Sequence, residues 1–217
     1  MNLMKTFFSV LSIGVIFGTY YYTLSNYSIL PAQIPAHVNL KGEIDQFLPK
    51  FIIFLFPLIS TAFFILFRVI PKYDKYKNNY QKFITELQLF ELTFLGFFFY
   101  LCYLLMELSS KKFDILQKIM PGIGILIIVT GYVSYCSKMT DFFGIRSRYS
   151  YTSDENWEKM NKSGGLFLVM IGGVMLIAYV LTSKLLFFSS IVILVLGSVF
   201  SLIYGEYKMR KEPKKVQ

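Results

Sequence analysis

The chain has 217 residues, 55% apolar and 16% charged, with a formal net charge of +9. An average soluble domain is about 25% charged, and here charge is scarce and clustered, which leaves little chain for a soluble domain. Several stretches of about 20 residues carry almost no charge, enough to cross roughly 30 Å of hydrocarbon, and in lipid such a stretch satisfies its backbone hydrogen bonds as a helix.

Six transmembrane helices are predicted. The first covers residues 3–24 and ends in TYYYTLSN without a small-residue cleavage pattern, so it reads as an uncleaved helix rather than a signal peptide. The second covers 51–70 and contains Pro57; the third, 87–106, carries Glu91 about one turn from its start. The fourth covers 115–136 and is interrupted by Pro121 in PGIG. Each proline removes a helical hydrogen bond and favours a kink. The fifth and sixth, 164–182 and 185–204, are joined only by Ser183 and Lys184 and form a tight hairpin. Residues 1–70 read as a two-helix unit and residues 71–217 as a four-helix unit with a basic tail.

Sixteen Lys and Arg fall on the side that holds both termini and six on the other. The positive-inside rule then places both termini in the cytoplasm. The fold class is all-α, a polytopic membrane bundle, N-in and C-in. The positive charge marks topology and contact with membrane lipids, not direct nucleic-acid binding.

Ionisable residues are few within the spans. Arg68, Glu91, Glu107 and Lys118 lie near span ends and can snorkel to the interface. Glu91 is the candidate for a buried functional carboxylate, and this scarcity disfavours an ion-coupled transporter. Gly14 with Gly18, and Gly197 with Ser201 and Gly205, make small-residue faces for close helix approach, within the bundle or across a homodimer. Cys102 and Cys136 differ in depth by about 20 Å at the helical rise, too far for a disulfide. Zincin, nucleophile-elbow and phosphate-loop patterns are absent. The chain reads as a non-enzyme without a cofactor.

Two polar stretches stand out. LPAQIPAHVNLKGEID, residues 30–45, faces outward. Pro31 and Pro35 hold the chain extended, and Gly42 permits a reversal. His37 and Asn39 are two apart, so in an extended chain they share a side, and Asp45 folds back toward them or caps the turn. The cluster reads as a self-satisfied turn, a peptide-contact surface, or a divalent metal site on His37 and Asp45. The inward stretch, 142–165, is FFGIRSRYSYTSDENWEKMNKSGG. Thr152 and Glu155 fit a capping box, and a short interfacial helix is predicted with Trp157 and Met160 on one side, Trp157 at headgroup level. Arg146 and Arg148 can hold lipid phosphates, cap helix ends or bind an acidic partner.

Together these stretches resemble SdpI-like membrane proteins. Leu30, Pro31, Ile34, Pro35, His37, Asn39, Gly42 and Asp45 match the LPxxIPxHxNxxGxxD pattern of the domain of unknown function that opens such chains. Gly144, Ile145, Arg146, Trp157, Asn161, Gly164 and Gly165 match the signature of the second half, with Thr140 replacing an asparagine and Ser147-Arg148 replacing Thr-Pro. The resemblance implies a bacterial membrane protein that confers immunity to a secreted membrane-active toxin peptide and signals by holding a winged-helix repressor at the membrane. On that reading His37, Asn39, Asp45, Pro35 and Gly42 meet the toxin, and Gly144, Arg146, Arg148, Trp157 and Asn161 form the docking surface. The alternatives are a metal-dependent membrane enzyme using the outer loop and a small transporter using Glu91.

Overall fold

The computed structural model describes residues 3–39, 42–111 and 113–211, apart from the side chains of 206, 209 and 210. Its long helices are α1 (Leu3–Tyr27), α2 (Leu55–Tyr73), α3 (Ile84–Ser110), α4 (Ile115–Cys136), α5 (Asp154–Val180) and α6 (Lys184–Lys211). Six helical spans are long and apolar enough to cross a membrane, the second including the 3-10 turn Lys50–Phe54 that leads into α2. The fourth predicted span coincides with α4. The fifth begins earlier than expected, because α5 runs unbroken from Asp154 and absorbs the expected interfacial helix.

Two sets of contacts define the ends of the bundle. Lys5 Nζ donates to Gln81 Oε1 at 2.7 Å, and Gln88 Nε2 donates to the Lys5 carbonyl at 3.2 Å. A Cβ on Gly205 would stand 2.9 Å from Ser147 Oγ. The start of α1, the α2–α3 link, the α4–α5 loop and the end of α6 therefore share one end, called the basic end below. At the other end Lys184 Nζ meets Asp114 at 2.7 Å, tying the start of α6 to the N-cap of α4. The backbone between α5 and α6 turns through Thr182, whose φ of 52° is left-handed.

Lipid offers helices little hydrophobic reason to associate, so shape decides their packing. Between α2 and α3 the shape is aromatic: Phe63 lies 4.3 Å from Phe94, and Phe67 lies 5.7 Å from Phe90, centroid to centroid. Between α4 and α5 it is glycine. A Cβ on Gly131 would stand 2.5 Å from the Gly165 carbonyl oxygen, and one on Gly165 would stand 2.5 Å from that of Gly131. Gly124 and Gly172 oppose one another in the same way one layer away. By contrast, a Cβ on Gly14 or Gly18 would meet nothing within 4 Å, so the glycine face of α1 does not pack inside the bundle. Pro57 also departs from expectation: it sits in the first turn of α2, where proline is tolerated, and the proline inside α2 is Pro71. Pro121 does lie inside α4, beside a cavity of about 350 Å³ that reaches Phe97 and Tyr100 of α3.

Candidate functional site

The 30–49 stretch folds as an antiparallel hairpin of β1 (Gln33–Val38) and β2 (Ile44–Pro49). Proline donates no ladder hydrogen bond, but a two-stranded ribbon is all edge and tolerates it. Gly42, at φ 88°, closes the reversal, and its N–H donates to the Asn39 carbonyl at 2.9 Å. Ile34 is fully buried with Leu30, Ile53, Cys102 and Met106, which seats the hairpin on the C-terminal half of α3. Pro35 is buried beside it, which removes Pro35 from any contact surface. Lys50 secures the base by donating to the Tyr27 and Leu30 carbonyls at 3.1 and 3.2 Å, capping the end of α1.

His37, Asn39 and Asp45 do not converge. His37 Nδ1 pairs with Asp45 Oδ1 at 2.6 Å, both side chains largely exposed. Asn39 instead donates to Glu43 Oε2 at 2.9 Å and accepts from the Glu43 N–H at 3.0 Å. Register irregularities on either side of His37 break the two-residue alternation, and Asn39 falls in the turn. The His37–Asp45 pair is closed on itself, and among the described residues no group of three or more His, Cys, Asp or Glu is placed to hold an ion.

The start of the α4–α5 loop is knitted to the α2–α3 link by polar groups, and the inward stretch joins it through Tyr151. Asp74 is buried: one carboxylate oxygen accepts from the Tyr76 N–H at 2.6 Å, the other from the Tyr80 hydroxyl and from the Asp141 N–H at 2.9 Å. Burial, together with the Asp74 acceptor, holds the Tyr80 phenol well above its ordinary pKa. Asn79 Nδ2 donates to the Met139 carbonyl at 2.9 Å, and the Tyr151 hydroxyl to that of Thr140 at 2.8 Å. None of this was visible in sequence spacing, although a lone acid in a basic link was a signal to notice.

Three of the expected docking residues serve this internal structure. Asn161 is fully buried; its Oδ1 accepts from the Ile145 N–H at 2.6 Å, and its Nδ2 donates to the carbonyls of Ile145 at 3.2 Å and Trp157 at 3.1 Å. Trp157 is 1% exposed, so its ring is packed inside the protein rather than presented to lipid, and it donates from Nε1 to the Ser137 carbonyl at 3.3 Å. Gly144, at φ 102°, is needed because a Cβ would stand 2.7 Å from the Trp157 ring. Arg146 and Arg148 remain exposed, Arg146 donating to the Asp141 carbonyl. The cap of α5 is Ser153, whose hydroxyl accepts from the Asn156 N–H at 3.1 Å, rather than the expected Thr152.

Glu91 is 1% exposed and does not snorkel. It pairs with Arg68 of α2, whose other guanidinium nitrogen donates to Ser9 Oγ at 3.1 Å. Phe64 lies under the guanidinium at 4.4 Å. Glu107 and Lys118, by contrast, stay at the far end of the bundle, Glu107 paired with Lys111 at 2.9 Å.

The fold is that of a polytopic helical membrane protein. Residues 14–61 match a domain of unknown function, DUF1648, and residues 136–205 match the SdpI/YfhL protein family. The first match covers the hairpin with the second half of α1 and the first turns of α2, and the second covers the α4–α5 loop, α5 and most of α6. The chain is 21% identical over 203 residues to a Bacillus subtilis protein named Immunity protein SdpI, covering 92% of this chain and 96% of that one. No solved structure matches. The chain is thus similar to SdpI-like proteins along most of its length, and its six apolar spans fit a multi-pass protein of the bacterial cytoplasmic membrane.

Proposed function

We propose that this protein confers immunity to a secreted, membrane-active peptide toxin without catalysing a reaction. The observation that carries the proposal is the likeness to an immunity protein along nearly the whole chain. Orientation follows from charge, with the basic end in the cytoplasm and the hairpin outside. The hairpin suits peptide recognition: it is braced from below by Ile34, and it holds exposed His37 and Asp45 beside exposed Phe47. Rigid presentation lowers the ordering cost of binding. Its two open strand edges also suit an extended peptide.

The test is survival of toxin-sensitive cells expressing the chain. The His37→Ala/Asp45→Ala variant is expected to protect less while accumulating normally in the membrane. Full protection by this variant and by Asn39→Ala would remove the hairpin as the contact surface. Docking of a winged-helix repressor at the basic end is part of the same proposal. It falls on exposed Arg146 and Arg148, because Gly144, Trp157 and Asn161 face inward. Arg146→Glu/Arg148→Glu is expected to release the repressor from the membrane fraction without loss of protection; retention of the repressor there would refute that placement.

A further inference from the structure

At the basic end α2 and α3 part around a cavity of about 360 Å³. Its polar border is Arg68, Lys72, Lys77, Gln81, Gln88 and Glu91, and Phe67 and Leu87 contribute an apolar wall. Two independent features suit it to a ligand. Gln88 and Glu91 are 7% and 1% exposed, yet Oε1 of each accepts no hydrogen bond among the described residues. Buried acceptors without donors are costly and rare in native proteins. The second feature is charge at the rim: Lys72 and Lys77 are exposed, and their ammonium groups enter no hydrogen bond or ion pair among the described residues. Between rim and floor, Arg68 is fixed by Glu91, Ser9 and the Phe64 ring.

These features define the chemistry of an occupant. The lysines call for an anion. The two orphan acceptors call for O–H or N–H donors a few bonds away from that anion. The apolar wall, at the end of two membrane-spanning helices, calls for a hydrocarbon stem. We propose that the cavity binds the headgroup of a membrane phospholipid whose phosphodiester carries hydroxyl or ammonium donors, as phosphatidylglycerol and phosphatidylethanolamine do. The phosphate sits at Lys72 and Lys77, and the donors reach Gln88 Oε1 and Glu91 Oε1. Phosphatidylcholine offers the same phosphate but no donor, so it separates the two halves of the site.

Native mass spectrometry of the full chain, with the three lipids in identical acyl form, tests the proposal. Phosphatidylglycerol and phosphatidylethanolamine are expected to bind about tenfold more tightly than phosphatidylcholine, the effect of one well-made hydrogen bond to a buried acceptor. Gln88→Leu is expected to erase much of that preference. Lys72→Gln/Lys77→Gln, at exposed positions that do not threaten folding, is expected to weaken all three lipids by a similar factor and to flatten the salt dependence. Equal binding of the three lipids to the wild type, an undiminished preference in Gln88→Leu, or lipid binding indifferent to the lysine pair would each overturn it.

Discussion

Asn161→Ala probes the basic end most sharply. Asn161 makes three hydrogen bonds that tie the α4–α5 loop to α5, one accepted from the Ile145 N–H and two donated to the carbonyls of Ile145 and Trp157. At about 1 kcal/mol each, their loss costs about 3 kcal/mol. The damage is local, because Asn161 bonds only the loop and its own helix turn. Hydrogen exchange read by mass spectrometry is therefore the suitable assay. A loss of about 3 kcal/mol corresponds to roughly hundredfold faster exchange in the loop peptide containing Ile145, with α4 and the rest of α5 little changed. Asn161→Asp keeps the acceptor for the Ile145 N–H but turns a carboxylate toward two carbonyls, so it is expected to be no milder. Arg146→Ala, which removes one exposed contact, is expected to stay within about 0.5 kcal/mol of wild type. Wild-type exchange at Ile145 in Asn161→Ala, or an equal effect from Arg146→Ala, would refute the assignment of Asn161 as the loop's internal clamp.

Other outcomes follow from the same packing. Gly165→Val should force α4 and α5 apart and lower the thermal midpoint in detergent by an amount equivalent to about 3 kcal/mol, while Gly173→Ala, which meets open space, should not. Arg68→Leu leaves Glu91 buried without its partner and is expected to cost about 3–5 kcal/mol, much of it recovered in Arg68→Leu/Glu91→Gln; an unaffected single variant would show that the pair is not formed. The Asp114 carboxyl is partly raised by burial, but the Lys184 ammonium and the Gln117 N–H outweigh this and hold its pKa below the usual range. A depressed acid stabilises the fold above its unfolded pKa, near 4. The midpoint difference between wild type and Asp114→Asn should therefore be full at neutral pH and shrink as pH falls below about 4. A difference constant through that range would contradict the Asp114–Lys184 tie.

The helices were legible because the bilayer dictates length and hydrocarbon admits no other backbone solution for such runs. What escaped the sequence depends on partners far away in the chain. Prolines in LPAQIP argue against a regular strand, and only the pairing with residues 44–49 makes one. Trp157, flanked by charged residues, reads as an interfacial anchor until the loop through Gly144 folds over it. Glu91 reads as a carboxylate that either snorkels or is buried, because periodicity treats one helix at a time and the Arg68 that holds it lies on another. The glycines of α4 and α5 become a seam only once the register of the two helices is known. His37, Asn39 and Asp45 were legible as a cluster, but the shift at His37 divides them between two partners.

The most direct measurement of the central proposal is membrane potential. Cells lacking this gene, exposed to the peptide fraction secreted by their parent strain, are expected to depolarise, and cells in which the wild-type chain is restored are expected to hold their potential and survive. Depolarisation that is the same with and without the folded chain in the membrane would contradict an immunity function.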